Sequence, residues 1–522
     1  MGLIDTENLN PGTTAWRNAY SGVDADGRSQ LPSGLPAIEG YCLQTSVSSG
    51  ETLQIAVNSS TPFFLDIYRL GCYGGTGARH MQQLGYFDAI SRGSVTPGPS
   101  QLIECNWNQT IGVTIPATWL SGVYLGRLTQ VDLTPPRQSY VIFVVRDART
   151  CNFLFKTSDL TWCAYNRWPS KYSMYDFYGT PPKEGYWGPG IKVSYDRPYS
   201  VMRAYYSSSF NGTSWSNWMS GASQFLTYEY PLLFWLEKNG YDVSYMSCMD
   251  LHATSSAQLR SRARVFICVG HDEYYTLPMY NNLKGAINAV DTMTQDGLSV
   301  AFFVAGSLTG VVEMESATTD PTRANRVFRR IGRLGPHDPW LLTLHPEHSG
   351  FTQFFPDSAE IVGARLVDPA VGVADWVCTN TTGPLATQIY AGTGLQNNAR
   401  IGKLIGFEFS GQPPSRTGLE ILAFGNFWGA DGYPTTGTFG PTIYPGPKNN
   451  HVFNAATMWW PHWLNTNPAT SYPPTGRPSY GWNMGGSHQP QVNPTYTAIT
   501  PDPADMAKVE QMTANVLQLL VS

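Results

Sequence analysis

Apolar positions follow two spacings along this chain, and each predicts a different kind of element. Between Glu39 and Asp147 the runs T-L-Q-I-A-V, F-L-D-I-Y-R-L, G-V-T-I-P, G-V-Y-L-G-R-L-T and S-Y-V-I-F-V-V-R-D are separated by turn residues, with no helical period between them. Alternation with period two is that of a half-buried strand, so this stretch predicts six or so strands in an antiparallel β-sandwich of immunoglobulin-like type.

After Asp147 the pattern changes. The runs C-N-F-L-F-K-T from Cys151, Y-D-V-S-Y-M from Tyr241, V-F-I-C-V from Val265 and L-S-V-A-F-F-V from Leu298 read as buried strands. Helical patterns stand between them, at 228–239, 256–262 and 277–295. Strands alternating with helices imply crossover connections and a mostly parallel α/β sheet. Two excursions interrupt it, an aromatic-rich one after the first strand and another at about 315–400. K-L-I-G-F-E-F and H-V-F-N-A-A-T are expected to return to the sheet, and the chain ends in a helix at 503–521. Residues 1–36, rich in Gly, Pro, Asn and Ser, predict an extended arm. The expected organisation is therefore an arm (1–36), a sandwich (37–147) and an α/β unit with long insertions (148–522).

Composition removes several classes of function. Charged residues are 14% and the net charge is −5, so nothing marks a polyanion partner and nucleic-acid binding is not expected. No apolar run reaches the ~18 residues that would span a bilayer. The start M-G-L-I-D-T-E lacks a basic then apolar leader, so a soluble, cytoplasmic chain away from membranes is expected. Aromatics reach 13%, with 16 Trp and 29 Tyr beside 51 Gly and 38 Pro; this predicts a loop-rich protein with aromatic-lined pockets. The eight cysteines form no C-x-x-C pair, which argues against structural zinc. Cys42 and Cys72 are candidates for a bridge in an oxidising compartment.

Candidate chemistry centres on R-A-R-V-F-I-C-V-G-H-D-E-Y-Y-T, from Arg262 to Thr276. A strand stopping at Gly270 delivers His271, Asp272 and Glu273 to its carboxyl end, where the loops of an open α/β sheet converge. His271 and Glu273, two apart, point to one side and suit a metal or an ion pair, although a carboxylate before a helix is also a common cap. Glu408 interrupts the apolar run L-I-G-F-E-F; a buried carboxylate needs a cation, a metal or a raised pKa fit for proton transfer. Tyr165, Tyr175, Tyr195 and Tyr199 crowd the first excursion. A phenol there is a packing group unless a strongly Lewis-acidic ion takes its proton.

Four segments together resemble one family: Tyr68 to Arg79 (Y-R-L-G-C-Y-G-G-T-G-A-R), Thr161 to Trp168 leading to Tyr195–Tyr199, Glu229 to Tyr245, and Val269 to Tyr275. In this order, from about residue 37 onward, the chain is similar to the large, or β, subunit of N,N-dimethylformamidase. The resemblance implies a mononuclear ferric ion, Fe(III), held by two tyrosines and a glutamate, with a histidine beside it and a second glutamate facing the substrate. Carried over one at a time, the metal glutamate falls on Glu273, the histidine on His271 and the second glutamate on Glu408. The tyrosines fall on Tyr165 and Tyr199, with Tyr175, Tyr195 and Tyr205 as competitors. The resemblance further implies a small amide substrate such as a formamide, a possible small subunit and a homo-oligomer. Relatives carry an Asn where this chain has Ser307, which bears on the substrate more than on the metal. The competing readings are a surface or carbohydrate-binding protein on the same scaffold, using exposed aromatics, and a tyrosinate-iron oxygenase.

Overall fold

The alternating runs of the first third become eight strands in two facing sheets. They are β1 (Ile38–Cys42), β2 (Ser46–Ser48), β3 (Thr52–Ser59), β4 (Phe63–Leu70), β5 (Ala78–Phe87), β6 (Thr110–Thr114), β7 (Gly122–Gln130) and β8 (Gln138–Arg146). The computed structural model describes residues 2–17, 37–131, 136–169, 172–177, 183–184, 191–199, 222, 224–293, 295–334, 355–366, 372–426, 428–429, 438–464 and 501–522. One sheet has the order β1-β3-β6 and the other β2-β8-β7-β4-β5; all neighbours are antiparallel except the parallel pair β2 and β8.

The run on β8 is apolar at nearly every position because both its faces are covered. Val141, Phe143 and Val145 join Tyr124, Leu128, Leu53, Ile55 and Val57 between the two sheets. The intervening Tyr140, Ile142 and Val144, with Val123 and Leu125 of β7, turn the other way and pack into the core of the following α/β unit. Period two thus serves two cores at once. A buried ion pair adds a polar lock: the Arg69 guanidinium of β4 grips both carboxylate oxygens of Glu237 at 2.7 and 2.9 Å. Glu237 lies on the helix Tyr230–Lys238. Paired N–H donors matching a carboxylate fix orientation as well as distance.

The α/β unit is built on a seven-stranded sheet. Its order is Val243–Met246, β9 (Cys151–Lys156), Ala263–His271, Ser299–Ala305, His451–Asn454, Thr442–Pro445 and Glu420–Ile421. The first five are parallel and the last two antiparallel. The whole is a mixed α/β, mostly sheet protein. The strand from Ala263 to His271 sits third of seven, buried along its length from Val265 onward, as its uninterrupted apolar run requires.

Three local expectations are corrected. K-L-I-G-F lies on Arg400–Phe407, which pairs with Gly372–Val377 in a separate three-stranded sheet and does not join the main one; an apolar run shows that a strand is buried but not which strand it meets. The helix after the central strand spans Leu277–Asn288 only, because Ala289 turns left-handed at φ 46°, and the polar stretch beyond leaves Val290 and Met293 exposed. The expected arm begins with a short helix, Leu3–Asn8, which buries Ile4; residues 18–36 lie outside the described ones. Among the described residues no helix is long and apolar enough to cross a membrane.

All eight cysteines are free thiols, Cys42 and Cys72 included. Cys42 ends β1 of one sheet and Cys72 follows β4 of the other. Intact mass is therefore expected to be unchanged by reductant, with eight thiols alkylated once the chain is unfolded. A gain of two hydrogens on reduction would contradict this.

Candidate metal and acid–base site

The site forms where two neighbouring parallel strands end. His271 and Ala305 are register partners at the carboxyl ends of the central strands, and a left-handed glycine stands at each end, Gly270 within the first strand at φ 78° and Gly306 just after the second at φ 64°. Both are required for close approach. A Cβ on Gly270 would lie 2.7 Å from the Tyr228 Cβ, and one on Gly306 would lie 2.3 Å from the Glu408 carboxylate. Sharp exits of this kind let the residues that follow turn inward.

Glu273 is the hub. Its Oε2 accepts hydrogen bonds from the Tyr165 hydroxyl at 2.8 Å and the Tyr175 hydroxyl at 2.9 Å. Tyr165 follows the short helix Asp159–Ala164, whose Thr161 hydroxyl accepts from the Glu273 backbone N–H at 3.1 Å. The cap of the next helix is Thr276, which accepts from the Met279 N–H, so Glu273 has no capping duty. Asp272 turns the opposite way. Its Oδ1 holds Lys156 Nζ at 2.6 Å, both side chains being fully buried, while its Oδ2 accepts from the Tyr275 hydroxyl at 2.5 Å.

His271 stands between two carboxylates, its Nε2 3.5 Å from Glu273 and 3.4 Å from Glu408. Gln224 Oε1 lies 3.0 Å from its Nδ1. Burial alone would push the imidazole pKa down, but the charge of Glu408 and the contacts with Glu273 outweigh it and lift it to about 10. The same proximity works in reverse on Glu273. Burial would raise its carboxyl, yet His271, Arg330 and the Tyr165 hydroxyl hold it well below the usual range. The pair is therefore a buried imidazolium and carboxylate. Glu408 follows the strand Arg400–Phe407 and keeps 14% of its side chain exposed, against 4% for Glu273 and none for His271. Of the three it is the group that water or substrate reaches first.

Tyr165 and Tyr175 are pushed well above the ordinary phenol pKa, first by burial and then by the charge of Glu273. Each hydroxyl donates a hydrogen bond to the same carboxylate oxygen. The donor set fits a hard trivalent ion: two phenols and a carboxylate, all oxygen, together carry three negative charges once the phenolic protons leave. Among the described residues no trio of His, Cys, Asp or Glu is placed to hold a metal, so any ion here would depend on the phenols.

Four residues expected from the sequence, Tyr165, His271, Glu273 and Glu408, come together. Tyr199 does not join them. It packs its ring 6.5 Å from that of Trp162 and lines a small cavity with Tyr41, Asp159 and Tyr195, while Tyr195 donates to Asp159 at 2.9 Å. Tyr175 makes the contact that had been expected of Tyr199, and Tyr205 lies outside the described residues. Tyr274, Arg330, Gln224 and Lys156 were not anticipated. Tyr274 stood beside Glu273 in the sequence, and Lys156 was a charge ending an apolar strand. Gln224 and Arg330 gave no signal.

An open cavity of about 820 Å³ is lined by Arg146, Asp147, Arg262 and Trp119. It is at the amino ends of the strands and holds none of the groups above. Trp376, Trp459, Trp460 and Trp463 are buried in the core, which leaves them unable to serve as stacking platforms for glycans.

No curated protein matches the chain. A family model described as N,N-dimethylformamidase beta subunit-like, C-terminal, matches residues 64–472, a span that includes Tyr165, Tyr175, His271, Glu273 and Glu408. The chain therefore belongs to the N,N-dimethylformamidase beta-subunit-like family.

Proposed function

We propose that this protein is an amide hydrolase that cleaves the C–N bond of a small, non-peptide amide such as a formamide, with a mononuclear ferric ion held by Tyr165, Tyr175 and Glu273. The observation that carries this reading is the convergence of two buried phenolic oxygens on one buried carboxylate oxygen. Bound there, a ferric ion supplies Lewis acidity toward an amide carbonyl or water.

The chain's own residues supply the proton chemistry. Glu408, the least buried of the three groups, takes a proton from the attacking water as the water oxygen adds to the carbonyl carbon. It returns that proton to the nitrogen as the C–N bond breaks, giving acid and amine. His271, placed between Glu273 and Glu408, would offer a hydrogen on Nε2 to the oxygen on which negative charge develops. The buried rings of Tyr165, Tyr175 and Tyr274 would suit a small, weakly polar substrate.

The wider assembly belongs to the same proposal. The parallel pairing of β2 with β8 at the edge of a three-plus-five-stranded sandwich supports an immunoglobulin-like unit at 37–147, with the catalytic unit following. A separate small subunit accords with a family named for a subunit, and the proposal extends to a homo-oligomer.

Incubation with a small tertiary formamide is expected to release amine and acid in equal amounts, at the same rate with and without dioxygen. Turnover that stops when oxygen is removed would favour the oxygenase reading, and no amine from any small amide would overturn the hydrolase.

A further inference from the structure

A third phenol stands behind the two that meet Glu273. The Tyr274 hydroxyl lies 2.5 Å from that of Tyr175. Tyr175 already directs its hydrogen to Glu273 at 2.9 Å, so in the short contact Tyr274 is the donor and the Tyr175 oxygen the acceptor. The contact is fixed from several sides. Tyr274 is fully buried, and its backbone pairs with Gly310. Its ring lies so close to that glycine that a Cβ there would meet ring carbons at 2.5 and 2.6 Å. The Arg330 guanidinium sits 5.8 Å from the ring centre, on a strand in which Arg330 pairs with Val312. A tyrosine serving only to fill space needs neither a hydroxyl at this distance nor a glycine cut away beneath it.

We propose that Tyr274 is a positioning residue for Tyr175, donating a hydrogen bond to its phenolic oxygen and so setting how strongly that oxygen gives electron density to a bound cation. The inference rests on the cation reading above and adds to it a tuning group. When the Tyr175 proton is replaced by a cation, the Tyr274 donor remains in place. A donated hydrogen bond to a charged oxygen stabilises the anion and draws off some of its density. Arg330 places a positive charge beside the same ring and favours the negative oxygen further.

The test compares iron-loaded wild-type protein with Tyr274→Phe, reading absorption and the rate of iron loss to a chelator. Without the donor, the phenolate-to-iron band is expected to move to longer wavelength. The rate at which iron leaves should change with it, because the same oxygen holds the cation; about tenfold is the scale of a hydrogen bond to a charged group. Gly310→Ala, which keeps the hydroxyl but displaces the ring, is expected to shift both readings in the same direction, and it serves if the Phe variant does not fold. A folded Tyr274→Phe protein with unchanged band and release rate would overturn the inference while leaving the cation site standing. Wild-type protein that takes up no iron would overturn the cation reading, and this inference with it.

Discussion

Replacing Glu408 by glutamine is expected to lower turnover of a small amide by about two to four orders of magnitude, the usual worth of a positioned general base. The substitution keeps size and hydrogen-bonding capacity but removes the ability to accept a proton. Glu408 is not among the three oxygens that meet at Glu273, so iron content and colour should be those of the wild type. His271 loses one flanking charge and keeps the other, 3.5 Å away on Glu273. The effect should therefore fall on kcat, with little change in binding. Activity within a few-fold of wild type would assign the proton transfer elsewhere.

The second large effect is on stability. Lys156→Met removes the cation that neutralises Asp272 at 2.6 Å, where both side chains are fully buried. Burial would push the Lys156 pKa down, but Asp272 outweighs it and holds the ammonium well above its usual range. Taking away one partner leaves a buried carboxylate with no cation in its place, the neutral Tyr275 hydroxyl still donating to it, and breaking a buried pair in this way costs about 3–5 kcal/mol. Asp272 lies between His271 and Glu273, so releasing it should also loosen the site. Denaturant unfolding is expected to show the loss. The double variant Lys156→Met/Asp272→Leu, which removes both charges, should recover most of it. A single variant as stable as the wild type would show that Asp272 is protonated or solvated in the native protein.

Much of this architecture was legible in the sequence because it depends on periodicity and on charge in apolar surroundings. The central strand announced itself by an unbroken apolar run ended by Gly270, and Glu408 by a carboxylate among Leu404, Ile405 and Phe409. What the sequence left open are pairings between distant segments. Nothing in K-L-I-G-F states that it meets Gly372–Val377 and not the main sheet. Tyr175 and Tyr199 stand in similar aromatic company without periodicity, and only the path of the chain brings one to Glu273 and the other to Trp162. Arg330 lies beside Arg329 on the strand Val327–Arg333, and only the packing of Tyr274 and the strand opposite buries the one and not the other. The early end of the helix after Thr276 turns on one left-handed residue, Ala289, a conformation that alanine seldom adopts.

The proposed activity requires that phenolic oxygens and Glu273 share one cation. The absorption spectrum of the purified protein, recorded with its iron content, tests this most directly. Stoichiometric iron is expected, with a visible tyrosinate-to-iron band that is lost or strongly altered in Tyr165→Phe and in Tyr175→Phe, and unchanged in Tyr199→Phe. Folded wild-type protein that is colourless and free of iron would contradict it, and a band that follows Tyr199 or Tyr205 in place of Tyr175 would contradict the ligand set.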